Sequence, residues 1–144
     1  MGETLKVACV QMNSGSDIHK NLEQAGEFIR LAAADGAEFI ATPEVTDQVI
    51  SNRAEKMDLM LSEADHPGLP FFCGLAQELK INLLIGSMCI KIAGDKMVNR
   101  SFLIGPQGSI RARYDKIHMY DVDLPNGESH RESKVFQAGG LADM

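Results

Sequence analysis

The chain has 144 residues, about one ordinary domain, and is 44% hydrophobic and 24% charged, the balance of a folded globular protein rather than a disordered one. Its net charge of −6 and pI near 5.1 argue against nucleic acid and against an anionic membrane surface, both of which want a basic face. There is no bilayer-length apolar run and no charged-then-apolar leader, and the three cysteines (Cys9, Cys73, Cys89) have no CxxC spacing, so a cytoplasmic protein with reduced thiols is expected, not a disulfide scaffold or a cysteine-rich zinc site.

The first element, Leu5–Met12, alternates and is rich in apolar residues, which predicts a strand buried on at least one face. SGSD follows as a turn and helix cap, with Ser16 or Asp17 as the N-cap. Ile18, Leu22, Ala25, Ile29 and Ala32 then fall at helical spacing, and the helix should end near Gly36. AEFIATP is the next strand, stopped by Pro43. Strand, helix and strand over this span make a β-α-β unit with parallel strands.

Thr46–Pro67 is polar and poorly patterned, which predicts a loop with a short helix. Leu69, Phe72, Ala76 and Leu79 form a second core-facing stripe, with Pro70 at the first helical position. Ile81–Ile92 is then a strand, AGDK a turn and Lys96–Pro106 a second strand paired with it as a hairpin. After QGS, SIRARYDK continues the meander. The pattern is a layered α/β protein with a mixed sheet and helices on one face, the other face lacking an obvious cover.

Three residues invite a chemical reading. Glu44 follows FIATP, just past the carboxyl end of a predicted parallel strand, where open α/β sheets place ligand groups. Beside apolar neighbours it would serve as a general base; its plainer reading is a loop carboxylate behind a proline. Lys116 ends SIRARYDK and is either a solvated edge charge or an ammonium for a developing oxyanion. Glu132 sits in a polar loop, where an exposed acid is the ordinary reading. His118 and His130 with Asp121 and Asp123 match no zinc spacing, DVDLPNGE lacks the ligand ladder of an EF-hand, and NGE after Pro125 is a turn signal.

Taken together, ATPEV, YDKIHMYDVDLP and HRESKVFQAGG, with the opening KVACVQM and the pair LLIGSMCIK and NRSFLIGPQG, resemble in order and spacing the first half of the nitrilase (carbon–nitrogen hydrolase) superfamily. The likeness covers essentially the whole chain and is strongest to the branch of omega-amidases and deaminated-glutathione amidases, which cleave amides of small dicarboxylic acids. The resemblance implies that Glu44 is the general base, Lys116 the oxyanion stabiliser and Glu132 a second carboxylate that orients the lysine or the substrate. In that chemistry a cysteine thiol attacks the amide carbon, ammonia leaves and water hydrolyses the thioester.

The resemblance also implies what should be missing. The family's nucleophile lies in a Cys-Tyr-Asp type of motif beyond the segment that begins FQAGG, and no such motif occurs here. Cys9 and Cys89 fall mid-strand and Cys73 in a helix, so all three are expected to be buried structural thiols. Residues 1–144 are therefore expected to form the N-terminal portion of a carbon–nitrogen hydrolase domain, truncated before the nucleophilic cysteine. They would form the first half of a four-layer α-β-β-α sandwich, inactive alone and open to self-association, as a homo-oligomer, through the uncovered sheet. The implied partner is a small-molecule amide, with no nucleic acid, no membrane, no metal and no cofactor. The competing expectation is a non-catalytic module that binds a partner through that sheet.

Overall fold

The computed structural model describes residues 4–49 and 61–140. Its frame is one five-stranded sheet: β1 (Val7–Cys9), β2 (Phe39–Ala41), β3 (Asn82–Lys91), β4 (Met97–Ile104) and β5 (Ile110–Asp115), lying side by side in chain order. β1, β2 and β3 run parallel, and β4 and β5 return antiparallel. The β-α-β unit and the hairpin read from sequence are both present, and the sheet is mixed as expected. β1 is shorter than the apolar run that announced it, although the Val10 N–H still donates to the Ala41 carbonyl at 2.8 Å.

Helix α1 (Ile18–Ala34) starts where Asp17 accepts a hydrogen bond from the Lys20 N–H, which settles the cap in favour of Asp17 over Ser16. It ends as Gly36 takes a φ of +88°, a conformation that costs glycine little. Leu22, Ala25 and Ile29 of the predicted stripe are buried. Helix α2 (Gly68–Leu79) begins two residues earlier than Pro70 suggested, leaving Pro70 at the third helical position. The reason is His66: its Nδ1 accepts from the Gly68 N–H at 3.0 Å and satisfies one of the donors a helix start leaves open. Of the expected loop with a short helix, residues 50–60 lie outside the described residues.

The cross-strand registers separate the two sheet faces. Ala8, Ile40, Leu83, Ile104 and Ile110 lie in one row and pack into the core under α1 and α2. The adjacent row, Cys9, Ala41, Leu84, Leu103 and Ala112, points the other way. Cys9 and Ala112 at its ends are exposed and the three between are half-buried. The two helices pack against each other, Gly26 of α1 lying so close to the Phe71 ring that a Cβ there would meet it at 2.7 Å. Among the described residues both helices therefore cover one face, and the other is open, as the sequence indicated.

That openness corrects one expectation. Cys9 is exposed, Cys73 half-buried and only Cys89 buried, because Cys9 sits on the edge strand of the uncovered face. A further element was not anticipated: β6 (Asp121–Asp123) and β7 (Ser129–Arg131) form a small antiparallel hairpin around the Pro125–Gly127 turn, followed by a short 3₁₀ turn at Glu132–Lys134. Alternating polar residues gave it no apolar signature. No helix among the described residues is long and apolar enough to cross a membrane.

Candidate active site

Glu44 stands in the turn directly after β2, and Lys116 directly after β5. These two strands run in the same direction, so both residues emerge at the same end of the sheet. Asn99 of β4 completes the floor. Its carbonyl accepts from the Lys116 N–H at 2.9 Å, and its Nδ2 donates to Glu44 Oε1 at 2.7 Å. The segment after β7 runs alongside the start of β4: the Met97 N–H donates to the Val135 carbonyl and the Gln137 N–H to the Met97 carbonyl. Phe136 is buried there with Met97 and Cys89. This anchoring carries Glu132 over the end of the sheet.

The three residues that were far apart in sequence meet at one ammonium. Lys116 Nζ donates to Glu44 Oε1 at 3.1 Å and to Glu132 Oε1 at 3.1 Å, and the second Glu132 oxygen is also 3.1 Å away. The Lys116 side chain is 29% exposed, Glu132 15% and Glu44 59%. Burial works against the charged lysine, but the bonds and charges of Glu132 and then Glu44 outweigh it, so its pKa is raised above the ordinary lysine value. Glu44 shares the cavity wall with Val45, Val49 and Val135, and it also has polar partners that were not anticipated. Its Oε1 accepts from Asn99 and from Lys116, because β4 presents a buried amide where apolar side chains were anticipated. Glu132 is no free loop acid: its Oε2 accepts from the Tyr120 N–H at 2.6 Å, and its own N–H donates to the Tyr120 carbonyl.

The turn that carries Glu44 is fixed from below. Val45 adopts a φ of +53°, strained for a β-branched residue, and its N–H donates to Ser87 Oγ at 2.8 Å. The Thr46 N–H donates to the Ser87 carbonyl, the Ser87 N–H to the Pro43 carbonyl and the Gly86 N–H to Thr42 Oγ1. Gly86 is required at this crossing, since a Cβ would lie 2.3 Å from the Thr42 carbonyl oxygen. Deeper still, the fully buried Asp47 accepts from His66 Nε2 at 3.1 Å and from the Cys89 N–H at 3.0 Å. His66 Nδ1 is already an acceptor from Gly68, so the ring donates to Asp47 through Nε2–H. Sequence reasoning missed Asn99, Ser87, Asp47 and His66. The readable signal was a polar residue inside an otherwise apolar strand, as in KMVNRSFLI and LLIGSMCIK.

Around the cluster lies an open cavity of about 680 Å³, whose walls include Gln48, Cys89, Asn99, Tyr120, His130 and Lys134. Its size suits a small organic molecule. Chemically, the arrangement offers a carboxylate to take or return a proton, an ammonium to meet negative charge on oxygen, and a second carboxylate to hold the ammonium. The acids of the hairpin strands are otherwise engaged: Asp121 accepts from the N–H and Oγ of Ser133, and Asp123 accepts from Ser129 and Arg131.

Comparison with known proteins places this geometry in context. The sequence profile of the Carbon-nitrogen hydrolase family matches residues 6–144. Deaminated glutathione amidase of Synechocystis sp. (strain PCC 6803 / GT-S) is 34% identical over 134 residues, which are 92% of this chain and 48% of that protein. Omega-amidase NIT2 of Homo sapiens is 30% identical over 138 residues, 94% of this chain and 48% of that protein. The crystal structure of the C. elegans NitFhit protein superposes with a TM-score of 0.83 at 28% identity, covering 95% of this chain and 34% of that one. The chain thus spans about half the length of the curated relatives it matches.

Proposed function

Since this chain belongs to the carbon–nitrogen hydrolase family, we propose that Glu44, Lys116 and Glu132 are the base, the oxyanion partner and the orienting carboxylate of a site that hydrolyses the amide of a small carboxylic acid. The observation that carries the reading is the Lys116 ammonium held 3.1 Å from both carboxylates on the wall of one cavity. In the reaction, Glu44 takes the proton of an attacking thiol as its sulfur bonds to the amide carbon. Lys116 donates to the oxygen as it becomes negative. Glu44 returns the proton to the departing nitrogen, ammonia leaves, and a water deprotonated by Glu44 then cleaves the thioester. The similarity to an omega-amidase and a deaminated glutathione amidase favours an amide whose acid carries a second carboxylate.

None of the three thiols suits the attacking role. Burial pushes the Cys73 thiol above its ordinary range, Cys9 lies exposed on β1, and Cys89 is packed against Met97 and Phe136. The 144-residue chain by itself therefore binds the amide and does not turn it over. The test adds the monoamide of succinic acid to the purified chain and reads binding by NMR titration and ammonia in the same sample. Binding weakened by Lys116→Ala, with no ammonia, is expected. Ammonia release abolished by Lys116→Ala would put a nucleophile among the three cysteines and overturn the inactivity. No binding at all would overturn the amide site.

A second reading rests on the open sheet face, where Val7 is 59% exposed and Cys9 and Ala112 are uncovered. Exposed apolar rows of this kind are association surfaces, and self-association through this face would make the chain an interaction module. Sedimentation velocity across a range of concentrations decides it: a monomer throughout removes this reading.

A further inference from the structure

Arg100 is a charged residue inside β4, the strand that also carries Asn99. Strand alternation sets its half-buried side chain on the helix-covered face, between Val98 and Phe102 of the core and opposite to Asn99. There the guanidinium is bonded on two sides. Its Nε and Nη2 donate to the two carboxylate oxygens of Asp115 at 2.6 and 2.8 Å, and its Nη1 donates to Glu63 Oε2 at 2.7 Å. The other Glu63 oxygen accepts from Arg113.

The two partners of Arg100 belong to two different supports of the site. Arg100 and Asp115 form the pair that closes the β4–β5 ladder. The residues just past that pair are Asn99 and Lys116, and the Lys116 N–H donates to the Asn99 carbonyl. The Lys116 carbonyl accepts from the Gly139 N–H at 3.0 Å, so the lysine stem starts wherever Asp115 and Asn99 stand. Glu63 lies in the segment that leads to His66, which donates to Asp47 beneath the Glu44 turn. On β4 itself, Ser101 donates to the Gly86 carbonyl at 2.6 Å, within the irregular stretch of β3 that holds the same turn. One guanidinium thus joins the strand end that bears Lys116 to the segment that backs Glu44.

Stability is a poor reason for charges at this place. Desolvation offsets most of what a half-buried ion pair gains, and an apolar side chain, like those of Val98 and Phe102, would pack there at least as well. What the guanidinium adds is geometry: its donors lie in one rigid plane and fix both the distance and the angle of the carboxylates they bond.

We propose that Arg100 is a positioning residue: by clamping Asp115 and Glu63 it sets the Lys116 ammonium and the Asn99 amide against Glu44. It acts through those two groups and not on the substrate itself. The inference rests on the reading of Glu44 and Lys116 as the working groups of an amide site and adds what fixes their spacing.

The experiment uses the ¹⁵N-labelled 144-residue chain and the variants Arg100→Met, Arg100→Lys and Arg113→Met. Two quantities are read. One is the side-chain NH2 signal of Asn99, the donor to Glu44, assigned by its loss in Asn99→Ala. The other is the affinity for the monoamide of succinic acid by NMR titration. Arg100→Met should move the Asn99 signal and weaken binding about tenfold, the worth of one hydrogen bond. Arg100→Lys keeps the charge without the planar fork and should change both readings in the same direction; it decides the question if Arg100→Met does not fold. Arg113→Met cuts the same network at its exposed end and should lower the melting temperature while leaving both readings at native values. Native values of either reading in a folded Arg100 variant would overturn the proposal. Arg113→Met changing both readings as far as Arg100→Met does would also overturn it, because the network would then act through stability alone. Failure of the native chain to bind the monoamide would overturn the amide site; the Asn99 signal needs no ligand and still decides the role of Arg100.

Discussion

The two carboxylates that flank Lys116 come from opposite kinds of scaffold. Glu44 rides on a turn whose backbone is bonded to β3 at Thr42, Pro43, Val45 and Thr46, above a buried Asp47–His66 pair. Glu132 rides on the end of a two-stranded hairpin held by side chains at the surface, Asp121 to Ser133 and Asp123 to Arg131. Buried bonds between backbone groups open only with the fold, whereas surface bonds exchange readily with water. Glu44 is thus held from beneath through its backbone, even at the cost of a strained Val45, while Glu132 is held at its own carboxylate by the Tyr120 N–H.

Substitution beneath the Glu44 turn should have the largest effect. Asp47→Ala strips the acceptor from His66 Nε2–H and from the Cys89 N–H, both buried, and should destabilise the chain by about 4 kcal/mol. Urea unfolding reads this directly; a loss under about 1 kcal/mol would mean that the turn is held without the pair. Alkaline pH sharpens the comparison next. The pKa of Lys116 is raised in the folded state, so the stability it contributes is complete below the ordinary lysine pKa of about 10.4 and declines as pH climbs through the folded value. The stability difference between the native chain and Lys116→Ala should therefore hold constant from neutral pH to about pH 9 and shrink above about pH 10.4. A difference that grew with pH would contradict the ion-pair geometry. The smallest effect belongs to the hairpin: Asp121→Ala should leave the unfolding midpoint nearly unchanged while amide exchange at Glu132 and Ser133 quickens. Equal protection of those amides in both forms would show the hairpin to be as firmly built as the turn.

The strands and helices that form the frame were legible because burial writes periodicity into sequence. The Leu22, Ala25 and Ile29 stripe and the alternation of β3 report directly which side faces the core. The hairpin β6–β7 was not legible, since a surface ribbon stabilised by Asp121, Asp123 and Arg131 carries no apolar pattern. His66 hid for another reason. A lone histidine in a polar stretch is unremarkable until Asp47, 19 residues before it, is buried against its ring.

Sequence alone determined the type of each element of the frame and the mixed sheet with one uncovered face, and through the resemblance of three short motifs it singled out Glu44, Lys116 and Glu132. These follow from local periodicity and from side-chain identity, both of which are one-dimensional. Only the tertiary structure decided that the three carboxyl and ammonium groups share one point 3.1 Å apart and that the Asn99 amide bonds Glu44. Distances between groups separated by 72 and 16 positions are set by strand register and by the anchoring of Phe136, and register is a property of the paired strands together.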